Sequence, residues 1–104
     1  MINDVSYDEF IQSIRNNQYV VMLGYANMCG TCEVAKKMLE VLSVNMSDIT
    51  FNKINVNLNQ LLIKEHDISS VPCFMLFKNG ELFDTFYAFN SITFLYNRIT
   101  SLKK

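Results

Sequence analysis

The sequence has 104 residues, half of them apolar, and a net charge of −1. That length predicts a single domain over 1–104, with enough apolar material for a core that needs no staples. No run of Lys or Arg exceeds two residues, so neither nucleic acid nor a membrane surface is an expected partner. The opening MINDVSYDEF has no basic stretch leading into an apolar one, and apolar runs such as Val20–Leu23 are far too short to span a bilayer. A cytoplasmic location is therefore expected. In that reducing pool cysteines seldom act as structural staples. Three cysteines, two of them spaced C-x-x-C, point to redox chemistry or to metal.

Along the chain, Ser6 followed by Glu9 predicts a capping box, and Phe10, Ile11 and Ile14 recur at helical spacing until Asn16-Asn17. Tyr19–Ala26 is a nearly continuous run of strand formers, as in a central strand covered on both faces. Residues 30–44 follow as a helix, with Val34, Ala35, Met38, Leu39, Val41 and Leu42 as its apolar face. Phe51–Val56 alternates as a second strand, and Gln60–His66 forms a short helix. Cys73–Phe77 and Leu82–Tyr87 flank Asn79-Gly80, the strongest short hairpin signal. Ser91 caps a last helix reaching Leu102, with Lys103 and Lys104 at the negative end of its dipole. The predicted class is α/β, a mixed central sheet of about four strands flanked by helices on both faces, in the spatial order 51–56, 19–26, 73–77, 82–87.

Cys29-Gly30-Thr31-Cys32 lies where the first strong strand ends and a helix begins. Unpaired N–H groups at a helix start carry partial positive charge and favour a thiolate over a thiol. Only the thiolate attacks a disulfide. Cys29, first in the motif and the more exposed, is the expected nucleophile; Cys32, a turn into the helix, resolves the mixed disulfide. Gly30 is expected to permit the close approach of the two sulfurs. A structural zinc site is the competing reading, but beyond the pair only Cys73 and His66 remain, and they form no second pair. Neither metal nor cofactor is expected.

Val71-Pro72 contains the one proline of the chain and directly precedes a strand. Together with the cysteine motif it resembles the thioredoxin family. The likeness runs through Tyr25-Ala26-x-x-Cys29-Gly30-x-Cys32, Lys53-Ile54-Asn55-Val56-Asn57, Ile68-Ser69-Ser70-Val71-Pro72 and Leu76-Phe77-Lys78-Asn79-Gly80-Glu81. The resemblance implies a thioredoxin-like fold and protein-disulfide oxidoreductase activity. Protein disulfides would be its substrates and a reductase of the thioredoxin-reductase type its electron donor. It also implies a cis Val71–Pro72 bond against the cysteine pair, with the Val71 backbone pairing with a bound substrate strand. Met28, Gly30, Thr31, Val71 and Pro72 are the expected substrate contacts.

Several positions depart from the family pattern. Thr31 stands where thioredoxins have proline, Met28 and Tyr25 where they have aromatic and tryptophan side chains, and Lys37 where a proline kinks the helix. Leu23 occupies the place of the family's buried carboxylate, Ala88 that of a glycine near the substrate surface, and the first strand is shortened to at most Ile2–Val5. These departures leave two other functions to weigh: a redox-inert binding module, and a glutathione-linked, glutaredoxin-like reductase. An intact C-x-x-C speaks against the first, and the absence of glycine in Tyr87-Ala88-Phe89 against the second. Cys73 is expected to be a buried small hydrophobe rather than a third reactive thiol. His66 is expected at a helix end, and Met28 is the methionine expected to touch a partner.

Overall fold

A computed structural model describes residues 2–87 and 89–104. Its elements are β1 (Asn3–Asp4), α1 (Tyr7–Asn16), β2 (Tyr19–Tyr25), α2 (Gly30–Ser43), β3 (Thr50–Asn55), α3 (Gln60–His66), β4 (Cys73–Lys78), β5 (Glu81–Phe86) and α4 (Ile92–Thr100), with short 3₁₀ turns at Val56–Leu58 and Ser101–Lys103. The five strands form one sheet in the order β1-β3-β2-β4-β5. β1 and β2 both run parallel to β3, whereas β4 is antiparallel to β2 and to β5.

The predicted four-strand order is present, and Asn3–Asp4, within the Ile2–Val5 span that the resemblance allows for a first strand, adds a fifth strand at its edge. With two residues, both exposed, that strand has no alternation to read. It is held by its register on Asn52 and Lys53 and by the Val5 N–H donated to the Lys53 carbonyl at 2.9 Å.

β2 divides the core. Its alternate side chains Val20 and Met22 join Phe10, Ile54, Val56, Leu62, Cys73, Met75 and Phe77 on the face covered by α1 and α3. Val21 and Leu23 join Ala35, Leu39, Phe51, Phe74, Leu76, Leu95 and Ile99 on the face covered by α2 and α4. Period-two alternation on one strand therefore feeds two separate apolar layers, which is why β2 reads as continuous apolar sequence.

The stripe of α2 is narrower than predicted. Ala35 and Leu39 are buried, with Met38 and Leu42 packed beside them, while Val34 and Val41 are exposed. Residues 35, 38, 39 and 42 share one side of a 3.6-residue helix, and 34 and 41 are rotated off it. Met46 completes the same layer. The hairpin turn has positive φ at both Asn79 (53°) and Gly80 (83°), the pairing that a two-residue turn of matching twist demands. His66 ends α3 with its ring edge-on to Phe10 and Phe77.

The capping box of α1 is complete: the Glu9 N–H donates to Ser6 Oγ at 3.2 Å, and the Ser6 N–H donates to Glu9 Oε1 at 2.9 Å. Replacing Ser6 by Ala leaves the first of these donors unpaired. We expect Ser6→Ala to lower unfolding free energy by about 1 kcal/mol, measurable as a lower urea midpoint with an unchanged slope.

Candidate active site

The end of β2 sets the position of the site. From Tyr25 the chain turns through Ala26–Met28 into α2, and Met28 adopts a left-handed φ of 60° with its side chain wholly in solvent. Few non-glycine residues take that conformation. It turns the chain so that Cys29 becomes the N-cap of α2.

Cys29 Sγ accepts the N–H of Cys32 at 3.2 Å and lies 3.5 Å from the Thr31 hydroxyl. The two cysteines form a disulfide with Cα atoms 5.2 Å apart. Cys29 is partly exposed and Cys32 is 2% exposed. The amide facing the sulfur is thus that of Cys32, the third helical residue, and Thr31 contributes its hydroxyl. Gly30 is not required for the sulfurs to meet, since a Cβ there would touch nothing within 4 Å. The space above it is open.

The antiparallel pairing of β2 with β4 brings the second part of the site to the same end of the sheet. Gly24 lies opposite Cys73, so the chain just before Cys73 lies beside the chain just after Gly24. The Val71–Pro72 bond is cis, Pro72 is buried and Val71 half-buried. A Cβ on Gly24 would come within 3.1 Å of Val56 Cγ1 and 3.4 Å of Cys73 Cβ, a crowding that explains the glycine at this crossing.

Cys73 points away from the pair. It is fully buried in the layer under α1 and α3, whereas α2 covers the other face. Burial pushes its thiol up to about 11, against a smaller opposing effect of the Tyr87 hydroxyl. It therefore stays protonated near neutral pH and has no nucleophile to offer. Among the described residues no three His, Cys, Asp or Glu side chains gather as a metal site. Ala88, singled out in the sequence, lies outside the described residues.

A polar group beside the site is not evident from sequence spacing. The Tyr25 hydroxyl donates to Asp4 Oδ1 at 3.0 Å, and the Lys53 ammonium stands 5.3 Å from the centre of the Tyr25 ring. Burial first, then the Asp4 contact, pushes the Tyr25 phenol up to about 12. These residues meet because Asp4 is the register partner of Lys53 on one side, and Tyr25 lies two residues beyond Leu23, its partner on the other, and so on the same face. Leu23 itself is fully buried among apolar side chains. Glu33, next to Cys32 in sequence, turns to solvent with Lys36 3.8 Å away.

A family model described as Thioredoxin matches residues 1–101. The thioredoxin-like protein YusE of Bacillus subtilis (strain 168) is 40% identical over 89 residues, 86% of this chain and 83% of that protein. Thioredoxin of Rickettsia prowazekii (strain Madrid E) is 32% identical over 87 residues, 82% of this chain and 83% of that protein. The solution structure of oxidised thioredoxin from Plasmodium falciparum is similar with a TM-score of 0.88 at 27% identity, covering 97% of each chain. With a helix-capping cysteine pair at the sheet end and relatives of this kind along nearly its whole length, the chain belongs to the thioredoxin family and is a thiol–disulfide oxidoreductase.

Proposed function

We propose that Cys29 is the attacking thiol and Cys32 the resolving thiol in exchange with protein disulfides in the cytoplasm, with a reductase of the thioredoxin-reductase type restoring the dithiol. The observation that carries this reading is the contrast between the two sulfurs. Cys29 is partly exposed and its Sγ accepts a helix N-terminal amide, while Cys32 is buried one turn on. In the reducing direction the Cys29 thiolate attacks one client sulfur, and the other leaves as a thiolate that takes up a proton. The Cys32 thiolate then attacks Cys29 Sγ, releases the second client thiol, and closes the Cys29–Cys32 disulfide. Two electrons pass to the client. Met28, Gly30 and Thr31 on one side and Val71 and Pro72 on the other are the surfaces a client strand touches in this reading. The exposure of the first three supports that role.

The Thr31 hydroxyl favours the Cys29 thiolate, hence the reduced form, which makes the couple more oxidising. Leu23 has the opposite kind of consequence for the second step. Cys32 must lose a proton before it attacks, and its burial disfavours charge. Among the described residues the only buried polar side chains besides the cysteines are Asn52 and Asn55, neither of which can take up a proton. Proton removal is then left to water entering past Met28.

Three outcomes test the reading. Cys32→Ser is expected to trap a client on Cys29 and Cys29→Ser to trap none; mass spectrometry locating the adduct on Cys32 would reverse the roles. The couple is expected to lie above thioredoxin's potential of about −270 mV, and Thr31→Val to move it negative by on the order of 30 mV, as a glutathione redox titration reads it. Decay of a preformed Cys29 mixed disulfide is expected to accelerate from about pH 6 to 9 as the buried thiol ionises. Leu23→Asp should speed that decay near neutrality while lowering stability, because it buries a carboxyl in an apolar layer. A pH-independent decay indifferent to the substitution would show that proton removal is not limiting.

A further inference from the structure

Among the described residues the two most exposed large apolar side chains, Met28 and Leu58, at 105% and 78%, flank neighbouring hollows. One hollow, of about 300 Å³, is walled by Tyr25, Met28, Cys29 and Glu33 among others. The other, of about 380 Å³, is walled by Val5, Tyr25 and Leu58, with Asp4, Asn55 and Asn59 at its polar rim. Tyr25 is common to both, so the second hollow is a continuation of the redox cleft.

Its walls are fixed in place. Asp4 holds the Tyr25 hydroxyl at 3.0 Å. Asn59 Nδ2 donates to the Asn55 carbonyl at 2.8 Å, and Asn55 Oδ1 accepts the Asn57 N–H at 3.0 Å, shaping the turn that carries Leu58. Asn55 Nδ2 in turn reaches Asn27 Oδ1 at 3.4 Å, which links that turn to the loop carrying Cys29. A pocket already in its binding conformation costs little ordering when it is filled.

We infer that the hollow between Val5, Tyr25 and Leu58 is a second client subsite, taking an aliphatic side chain of an extended segment whose cysteine is joined to Cys29. The inference rests on the proposed role of Cys29 as the attacking thiol. Continuity with the redox cleft names the occupant, because a client must lie across Cys29 in every cycle. Attachment through the mixed disulfide raises the local concentration of the client's flanking residues, so a shallow apolar hollow suffices to select among them. Leu58, 78% exposed, supplies an apolar wall, and the half-buried Asn59 at the rim keeps its Oδ1 to accept a main-chain N–H of the segment.

The test uses cysteine peptides carried as mixed disulfides with a small thiol, with leucine or serine placed in turn at each position flanking the cysteine. The wild-type protein is expected to favour leucine in kcat/KM by about tenfold at one position, the lower end of what an apolar pocket discriminates. Leu58→Asn should bring that ratio close to one. Leu61→Asn, at a residue 57% exposed but outside the hollow, should keep it. Normal turnover with no leucine preference at any position, or equal loss of preference in both variants, overturns the subsite alone. Failure to turn over leucine and serine peptides alike overturns the role of Cys29, and the subsite with it.

Discussion

The site depends on β2 being paired along both edges, to β3 in parallel and to β4 in antiparallel fashion. Parallel pairing with β3 requires a crossover, and α2 is that crossover, so its first turn must start where β2 stops. Antiparallel pairing with β4 then places the start of that strand at the same end. One strand end thereby receives a helix N-terminus carrying two cysteines and the cis-proline segment. The residues themselves are far apart in the chain, and register alone unites them. Gly24 sits at this crossing, where Val56 and Cys73 leave almost no room for a Cβ.

What the sequence discloses follows from how local the physics is. The α1 capping box, the Asn79-Gly80 turn and the C-x-x-C motif each act within four residues, and each is present in the structure as read. The two-faced burial of β2 is legible because a strand covered on both sides has no polar phase. β1 is legible only through the family likeness, which allows a first strand within Ile2–Val5: its two exposed residues carry no pattern of their own, and pairing with β3 makes them a strand. Val34 and Val41 read as part of the α2 face yet lie exposed beside it, because residue type alone does not say where a stripe ends.

The surroundings of the cysteines were the less legible part. The contact between Asp4 and Tyr25, with Lys53 over the ring, joins β1, β2 and β3 across the sheet and has no counterpart in spacing along the chain. The link between Asn27 and Asn55 is of the same kind. Thr31 was legible as a residue type but not in its geometry: its hydroxyl lies near Cys29, while the helix amide nearest that sulfur belongs to Cys32. The Val71–Pro72 segment became interpretable through family likeness, since a lone proline before a strand has many ordinary explanations.

The alternation that buries Cys73 has a wider consequence. Neighbouring residues of β4 point to opposite faces, and Cys73 falls on the face away from α2. The sheet keeps the third sulfur in the apolar layer under α1 and α3, away from the helix that the other two begin. While the chain is folded, the Cys73 thiol is fully buried and free, and the disulfide joins Cys29 to Cys32. Only on unfolding does the chain regain the three pairings that three cysteines allow, so in this molecule the integrity of the fold and the fidelity of its disulfide are a single property.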